Sequence, residues 1–158
     1  MKRLSIIIPF YNVEQYIAQC LDSVYHQDIP EEEYEVICVD DCSPDNSISI
    51  VEEYAKKHTN LVIVRNQYNR KLGGARNAGM KVATGNYIWF IDSDDFIKKS
   101  SIGKLLSIAE SDKLDVLHFQ YENYPDFWTP PRNPFDTSVM IGTEMFFSTD
   151  YIWYHRSD

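Results

Sequence analysis

Two short segments concentrate carboxylates, Asp40-Asp41 and Asp92-Ser93-Asp94-Asp95. Adjacent carboxylates repel, so gathering them is costly unless a cation or hydrogen-bond donors compensate. In D-x-D spacing, two side chains on one loop can converge on one ion. An all-oxygen donor set favours a hard divalent cation such as Mg2+ or Mn2+. Mg2+ keeps several waters and binds one or two carboxylates together with substrate phosphate, which suits a nucleoside diphosphate. A strand-end turn before a helix also recruits Asp. That reading accounts easily for one aspartate and poorly for three in four positions. For Asp40-Asp41, followed by Ser43-Pro44, a loop-and-cap role stands level with a functional one.

The segment Asn69 to Gly79 is the other dense feature, carrying Gly73, Gly74 and Gly79 beside Arg70, Lys71 and Arg76. A phosphate loop of the Walker type needs Lys directly after its last Gly, and here Gly79 is followed by Met80. A G-x-G-x-x-G turn after the first strand is absent as well, which argues against a dinucleotide site. What remains is a Gly-rich turn opening a helix. Arg76 is the candidate for meeting an anionic ligand or bracing the aspartates, whereas Arg70 and Lys71 read as solvated. Tyr11 either lies beside a nucleobase or rims the core. The four histidines are scattered, with no Ser-His-Asp or Cys-His arrangement.

These residues have to be placed by the elements around them. Apolar runs at Leu4–Ile8, Tyr34–Val39, Leu61–Val64, Tyr87–Ile91 and Asp115–Phe119 read as strands, the first stopped by Pro9. Between them Val13, Tyr16, Ile17, Cys20, Leu21 and Val24 form one helical stripe. A second helix starts at the Ser43-Pro44 cap, a third runs from about Ala75 to Ala83, and a fourth follows a Ser100-Ser101 cap. Alternation of strand and helix predicts an α/β fold, a mainly parallel sheet flanked by helices. In such a sheet ligands bind beyond the carboxyl ends of the strands. Both carboxylate clusters fall there.

Composition agrees with a globular domain. The chain has 158 residues, 44% hydrophobic and 25% charged, with a formal charge of -9. That acidity argues against nucleic-acid binding, which needs a basic face. Cys20 and Cys38 fall on apolar positions and read as buried thiols, and Cys38-x3-Cys42 is no zinc site. No segment approaches a membrane span or a secretory leader, so the chain reads as cytosolic. Residues 121–158 are rich in aromatics and prolines without a clear period. They read as draped over the sheet or as part of an incomplete subdomain.

Taken together, SIIIPFYNVEQYIAQCLDSV (5–24), VICVDDCSPDNS (36–47) and NRKLGGARNAGMKVATGNYIWFIDSDD (69–95) resemble family 2 glycosyltransferases of the Rossmann-like GT-A fold. The likeness covers about residues 3–120, three motifs in order. It implies a nucleotide-sugar-binding core over 1–120 and an incomplete acceptor-side region over 121–158. It implies that Pro9, Tyr11 and Glu14 line the nucleotide pocket, that Asp41 or Asp40 contacts the base, and that Arg76 holds the nucleotide. Asp94 would be the metal ligand, with Asp92 and Asp95 assisting through ribose, water or sugar contacts. The implied cofactor is Mn2+ or Mg2+, and the implied donor is a nucleoside-diphosphate sugar, commonly UDP-linked. The reaction would be transfer to a hydroxyl of a glycan or lipid-linked acceptor with inversion, in polysaccharide synthesis at the inner face of a membrane. Inversion needs a general base. The acids after residue 120 are Glu122, Asp126, Asp136, Glu144, Asp150 and Asp158, no two adjacent, so none is assigned and the chain reads as a truncated enzyme. The alternative from a different class is a non-catalytic nucleotide-sugar-binding module. Receiver-like and dehalogenase-like folds place their aspartates after the first strand, where this chain has Pro9-Phe10-Tyr11.

Overall fold

The computed structural model describes residues 2–119 and the backbone of 151–154. Strands β1 (Leu4–Phe10), β2 (Tyr34–Asp40), β3 (Leu61–Arg65) and β4 (Tyr87–Phe90) alternate with helices α1 (Ile17–Tyr25), α2 (Ser47–Lys57) and α3 (Lys71–Met80). Helix α4 (Ile102–Ser111) leads to β5 (Val116–His118), and β6 (Tyr151–Tyr154) completes a sheet of order β3-β2-β1-β4-β6-β5. The first four strands in that order are mutually parallel. The α/β class and the mainly parallel sheet are as the alternation predicts.

β6 is the departure. Residues 151–154 pair antiparallel with both β4 and β5, so β5 keeps the common direction without touching β4. Four residues, Tyr-Ile-Trp-Tyr, are too few to show a period, and only their long-range pairing makes them a strand. The rest of 120–158, including all six acids weighed as a general base, lies outside the described residues.

β1 and β2 are buried along their whole length, as strands covered on both faces must be. Leu4, Ile6, Ile8, Val36 and Cys38 point to the layer of α1, α2 and α4, where Ile17, Leu21, Val24 and Leu106 meet them. Ile7, Ile37, Val39 and Ile88 point to the other face, against Ala75 and Ala78 of α3. Ile17, Cys20, Leu21 and Val24 of the predicted stripe form the buried face of α1, whereas Val13 and Tyr16 precede the helix and Tyr16 is exposed. Fully burying each such Ile or Leu contributes about 1.5–3 kcal/mol. α3 lies close to the sheet because Gly79 has no side chain: a Cβ there would come 2.5 Å from Ile7 Cγ2 and 3.2 Å from Val39 Cγ2.

Two helix starts and one cap differ from the sequence reading. α2 begins at Ser47 rather than at Ser43-Pro44, because the side chains of that loop bond to the neighbouring one, as described below. α3 begins at Lys71, so Gly73 and Gly74 lie inside the helix instead of forming a turn before it. Asn69 Oδ1 accepts the Lys71 N–H at 3.0 Å and Asp41 accepts the Arg70 N–H at 2.8 Å, meeting donors that a helix start leaves open. At α4, Ser101 holds the cap position, but its hydroxyl donates back to Lys98 O at 2.7 Å. Cys20 and Cys38 are buried as expected, and burial pushes both thiols up in pKa; Cys42 is exposed.

Candidate active site

The strand order creates one topological switch point. From β1 the chain steps through β2 to β3, then α3 carries it back across the sheet to β4 on the far side of β1. The carboxyl ends of β1 and β4 meet there, the usual position of a ligand crevice in such sheets. Pro9 ends the pairing of these two strands early. Odd-numbered residues of β1 face β4, as the Ile91 N–H donating to Ile7 O at 3.0 Å shows. The next group due to donate is the N of Pro9, which carries no hydrogen. Regular pairing with β4 therefore ends at Ile7–Phe90, while pairing with β2 continues through Phe10–Asp40. β1 thus runs through Pro9, where the sequence reading had stopped it. Pro9 is buried at the floor of this opening.

Asp92 follows β4 directly. The Asp95 N–H donates to Asp92 O at 3.0 Å, which closes a turn over Asp92-Ser93-Asp94-Asp95. Ser93 is buried inside it, and Asp94 and Asp95 are exposed. Arg76, on the second turn of α3, reaches across and donates from Nη2 to Asp92 Oδ1 at 2.7 Å. The guanidinium also packs over Phe90, 5.5 Å from the ring centre. Its Nε is buried without a hydrogen-bond partner, so the pair leaves the cation short of acceptors. Of the two roles weighed for Arg76, bracing the aspartates is the one this geometry displays.

Asp40 and Asp41 are both buried. Asp40 accepts the Ser43 N–H at 2.8 Å, an Asx-type turn. Asp41 accepts from Asn66 Nδ2 at 2.7 Å and from the Arg70 N–H through both oxygens. It thereby ties the ends of β2, β3 and α3 together at the mouth. Tyr11 is 49% exposed at the end of β1, beside the crevice. Asn12 and Cys42 turn the chain in left-handed conformation, with φ of 57° and 65°. Such backbone is uncommon outside glycine and tends to collect at functional sites.

Glu14 is engaged by the loop before α2. Its carboxylate accepts the Asn46 N–H at 2.9 Å, and Asp45 returns the bond by accepting the Glu14 N–H at 2.9 Å. Ser47 Oγ accepts the Val13 N–H at 3.1 Å, and Ser43 Oγ the Asn12 N–H at 3.3 Å. Three consecutive amides after Tyr11 are therefore held by side chains of the loop before α2. Sequence reading missed Asp45, Asn66 and Ser47; an Asp and a Ser just ahead of a helix were the available signal. The pKa of Asp45 lies below the ordinary value: desolvation pulls it up, but the Ser47 and Glu14 hydrogen bonds outweigh that. A depressed carboxylate pKa adds stability above its unfolded value, lost as pH falls through the folded one. Asp45→Ala should lower the melting temperature by about 2–4 °C at neutral pH, and the difference from wild type should shrink as pH falls below the ordinary Asp range. Scanning calorimetry across pH checks both; an unchanged gap in acid would contradict the clamp.

As for a metal, the donors are hard oxygens confined to one turn. Among the described residues no three His, Cys, Asp or Glu side chains form a ready-made cage. Such a site fits an ion that takes one or two protein carboxylates and completes its shell with phosphate and water. A shallow groove of about 470 Å³ lined by Arg3, Pro30, Glu33 and Lys104 lies at the opposite, amino-terminal edge of the sheet. Arg3 is engaged there by Glu33 and Glu110, and the groove has no link to the aspartates.

A model of glycosyl transferase family 2 matches residues 5–157. The chain belongs to that family. It is 42% identical over 115 residues to a poly(ribitol-phosphate) beta-glucosyltransferase of Bacillus spizizenii, covering 72% of this chain and 18% of that one. It is 40% identical over 118 residues to the poly(ribitol-phosphate) beta-N-acetylglucosaminyltransferase TarS of Staphylococcus aureus, covering 74% and 20%. The crystal structure of a TarS fragment in complex with UDP superposes with a TM-score of 0.81 at 32% identity, over 96% of this chain and 46% of that one. A mannosyltransferase of Pyrobaculum calidifontis in complex with GDP-Man and Mn2+ superposes with a TM-score of 0.67 at 27% identity, over 72% and 34%. The GT-A fold is therefore that of this family 2 chain, which spans about a fifth of the length of these curated relatives. No helix among the described residues is long and apolar enough to cross a membrane.

Proposed function

We propose that the crevice between β1 and β4 binds a nucleoside-diphosphate sugar and that the protein transfers this sugar, with inversion, to an acceptor hydroxyl. The observation that carries the reading is the Asp92–Asp95 turn at the switch point, braced by Arg76 in a family 2 fold. Tyr11 offers an exposed ring for the base, and Asp41 and Asp40 shape the floor beneath it. Pro9 and Glu14 complete the pocket, Glu14 through the loop it holds. Asp94 is the assigned metal ligand, assisted by Asp92 and Asp95, with Mn2+ or Mg2+ as the ion. When bound, that ion would offset charge growing on the leaving diphosphate.

The chemistry is a displacement at the anomeric carbon. An acceptor oxygen forms the new bond while the bond to the diphosphate oxygen breaks, and its electron pair leaves with the nucleotide. Arg76 lies where it can hold a phosphate as well as Asp92. A base must take the acceptor proton, and it belongs to the acceptor-side region that we place from residue 121 onward. UDP is the favoured nucleotide because TarS has been crystallised with UDP and with UDP-GlcNAc. By likeness to the poly(ribitol-phosphate) transferases the acceptor is a polymer; a lipid-linked glycan at the cytoplasmic face of a membrane is the other acceptor we propose.

Titration calorimetry with UDP, UDP-GlcNAc and GDP, with and without Mn2+, tests the donor site. Metal-dependent binding of at least one nucleotide is expected, and none from a folded chain would overturn the reading. Arg76→Met should weaken UDP binding about 10-fold or more, the scale of a lost charge-assisted bond, while Arg76→Lys recovers only part because it cannot reproduce the fork.

A further inference from the structure

Helix α1 and the residues just after it run alongside the loop that follows the aspartate turn, and they bond to it at nearly every step. The Cys20 thiol reaches Asp92 O at 3.8 Å, and Ser23 Oγ accepts the Ile97 N–H at 3.0 Å. His26 O accepts the Ser100 N–H at 3.4 Å, and Asp28 Oδ1 accepts the Gly103 N–H at 3.0 Å. Gln27 is the centre of this seam. Its Oε1 accepts the N–H of Ser101 at 2.9 Å and of Ile102 at 3.1 Å; its Nε2 donates to Lys98 O at 3.1 Å and to Ser23 O at 2.7 Å.

A helix start leaves its first amides without intrahelical partners, normally met by the residue at the cap. In α4 the cap residue Ser101 makes no side-chain cap bond, and Gln27, 74 residues away in sequence, supplies the acceptor instead. The same amide group grips the loop on its other side through Lys98. We propose that Gln27 is a positioning residue for the metal-binding turn: by capping α4 and holding Lys98 O from just beyond α1, it fixes the carboxyl-terminal end of the stretch from Asp92 to Ser101, whose other end meets α1 at the Cys20 thiol. The inference rests on the reading of that turn as the donor-diphosphate site. Gln27 lies on the spacing Cys20, Ser23, Gln27, the edge of the α1 stripe carried one turn past the helix. It touches none of the reacting atoms.

The test uses the 158-residue chain and two substitutions. Gln27→Met keeps the side chain's length and removes every hydrogen bond of the amide; Gln27→Glu keeps the acceptor bonds and loses both donor bonds. Amide exchange is expected to speed up about 10-fold or more at Ser101 and Ile102 in Gln27→Met, with β1 and β2 amides unchanged. UDP binding in the presence of Mn2+ should weaken about 10-fold while metal-free UDP binding stays within about 2-fold, and Gln27→Glu should recover part of the loss. Equal weakening with and without Mn2+, or unchanged exchange at Ser101 and Ile102, overturns the assignment. If Gln27→Met does not fold, Gln27→Glu decides by nucleotide binding alone: a loss of UDP affinity confined to the Mn2+-dependent part supports the assignment, and an equal loss with and without Mn2+, or none, overturns it. Should wild type bind no nucleotide, the donor-site reading fails and this proposal falls with it. Normal metal-dependent binding by wild type and by both variants overturns the role of Gln27 alone.

Discussion

Replacing Asp94 with Ala should remove the metal-dependent part of UDP affinity, a loss of about 100-fold, and leave the melting temperature within about 2 °C of wild type. The two halves of this result have separate physical grounds. Asp94 sits exposed at the tip of a turn closed by the backbone bond from Asp95 to Asp92. Its carboxylate is therefore dispensable for packing, and surface substitutions away from core and caps usually change stability by less than about 0.5 kcal/mol. The ion, in contrast, has few protein ligands to draw on, because no cage of three acidic, thiol or imidazole groups stands ready among the described residues. Losing one of one or two carboxylates is then a large fraction of the protein's share of the coordination. Calorimetry with and without Mn2+ measures the first half and thermal melting the second. A parallel loss of metal-free affinity, or of the fold, would show Asp94 to be structural.

Gly85→Ala should destabilise the fold by about 3 kcal/mol, the upper part of the range for overpacking, without any change at the site. A Cβ at Gly85 would lie 2.5 Å from the Ser5 N and 2.6 Å from the Leu4 carbonyl carbon, both backbone atoms of β1. Backbone in the middle of a parallel sheet cannot swing aside as a side chain can. The same substitution disturbs a buried polar knot. Gly85 N–H donates to Ser5 Oγ at 2.8 Å, Ser5 Oγ donates to Glu35 Oε1 at 2.6 Å, and Thr84 donates to that carboxylate oxygen through its N–H and its hydroxyl. Glu35 is only 7% exposed, so a partner lost there leaves a desolvated carboxylate under-bonded. Chemical denaturation of the variant measures the effect. A change below about 1 kcal/mol would mean that the α3–β4 connection yields easily, against the contact geometry.

Much of the molecule could be read from local pattern. Hydrophobic runs such as Leu4–Ile8 and the Ile17, Cys20, Leu21, Val24 stripe identify their elements because burial on two faces, or on one helical face, constrains residue type at fixed intervals. Alternating such elements leaves a parallel sheet as the consistent arrangement, and a parallel sheet places its ligands at the strand ends, where the aspartates were found. The candidate site was proposed from sequence for a related reason: clustered carboxylates have few stable uses other than holding a cation or a set of donors.

What local pattern did not carry is pairing across long intervals. That Asp41 meets the start of α3, that Gln27 caps α4 and that residues 151–154 enter the sheet between β4 and β5 all depend on contacts between segments far apart in the chain. A hydrogen bond from another element satisfies an open helix amide as well as a local one does, and it leaves no spacing rule behind in the sequence. The Ser43-Pro44 and Ser100-Ser101 pairs looked like caps for that reason, and the folded chain uses other groups for most of that work. Sequence by itself determined the class of fold and the edge of the sheet to which both aspartate clusters belong. The tertiary structure decided which residues brace one another there, because only folding brings their partners within bonding distance.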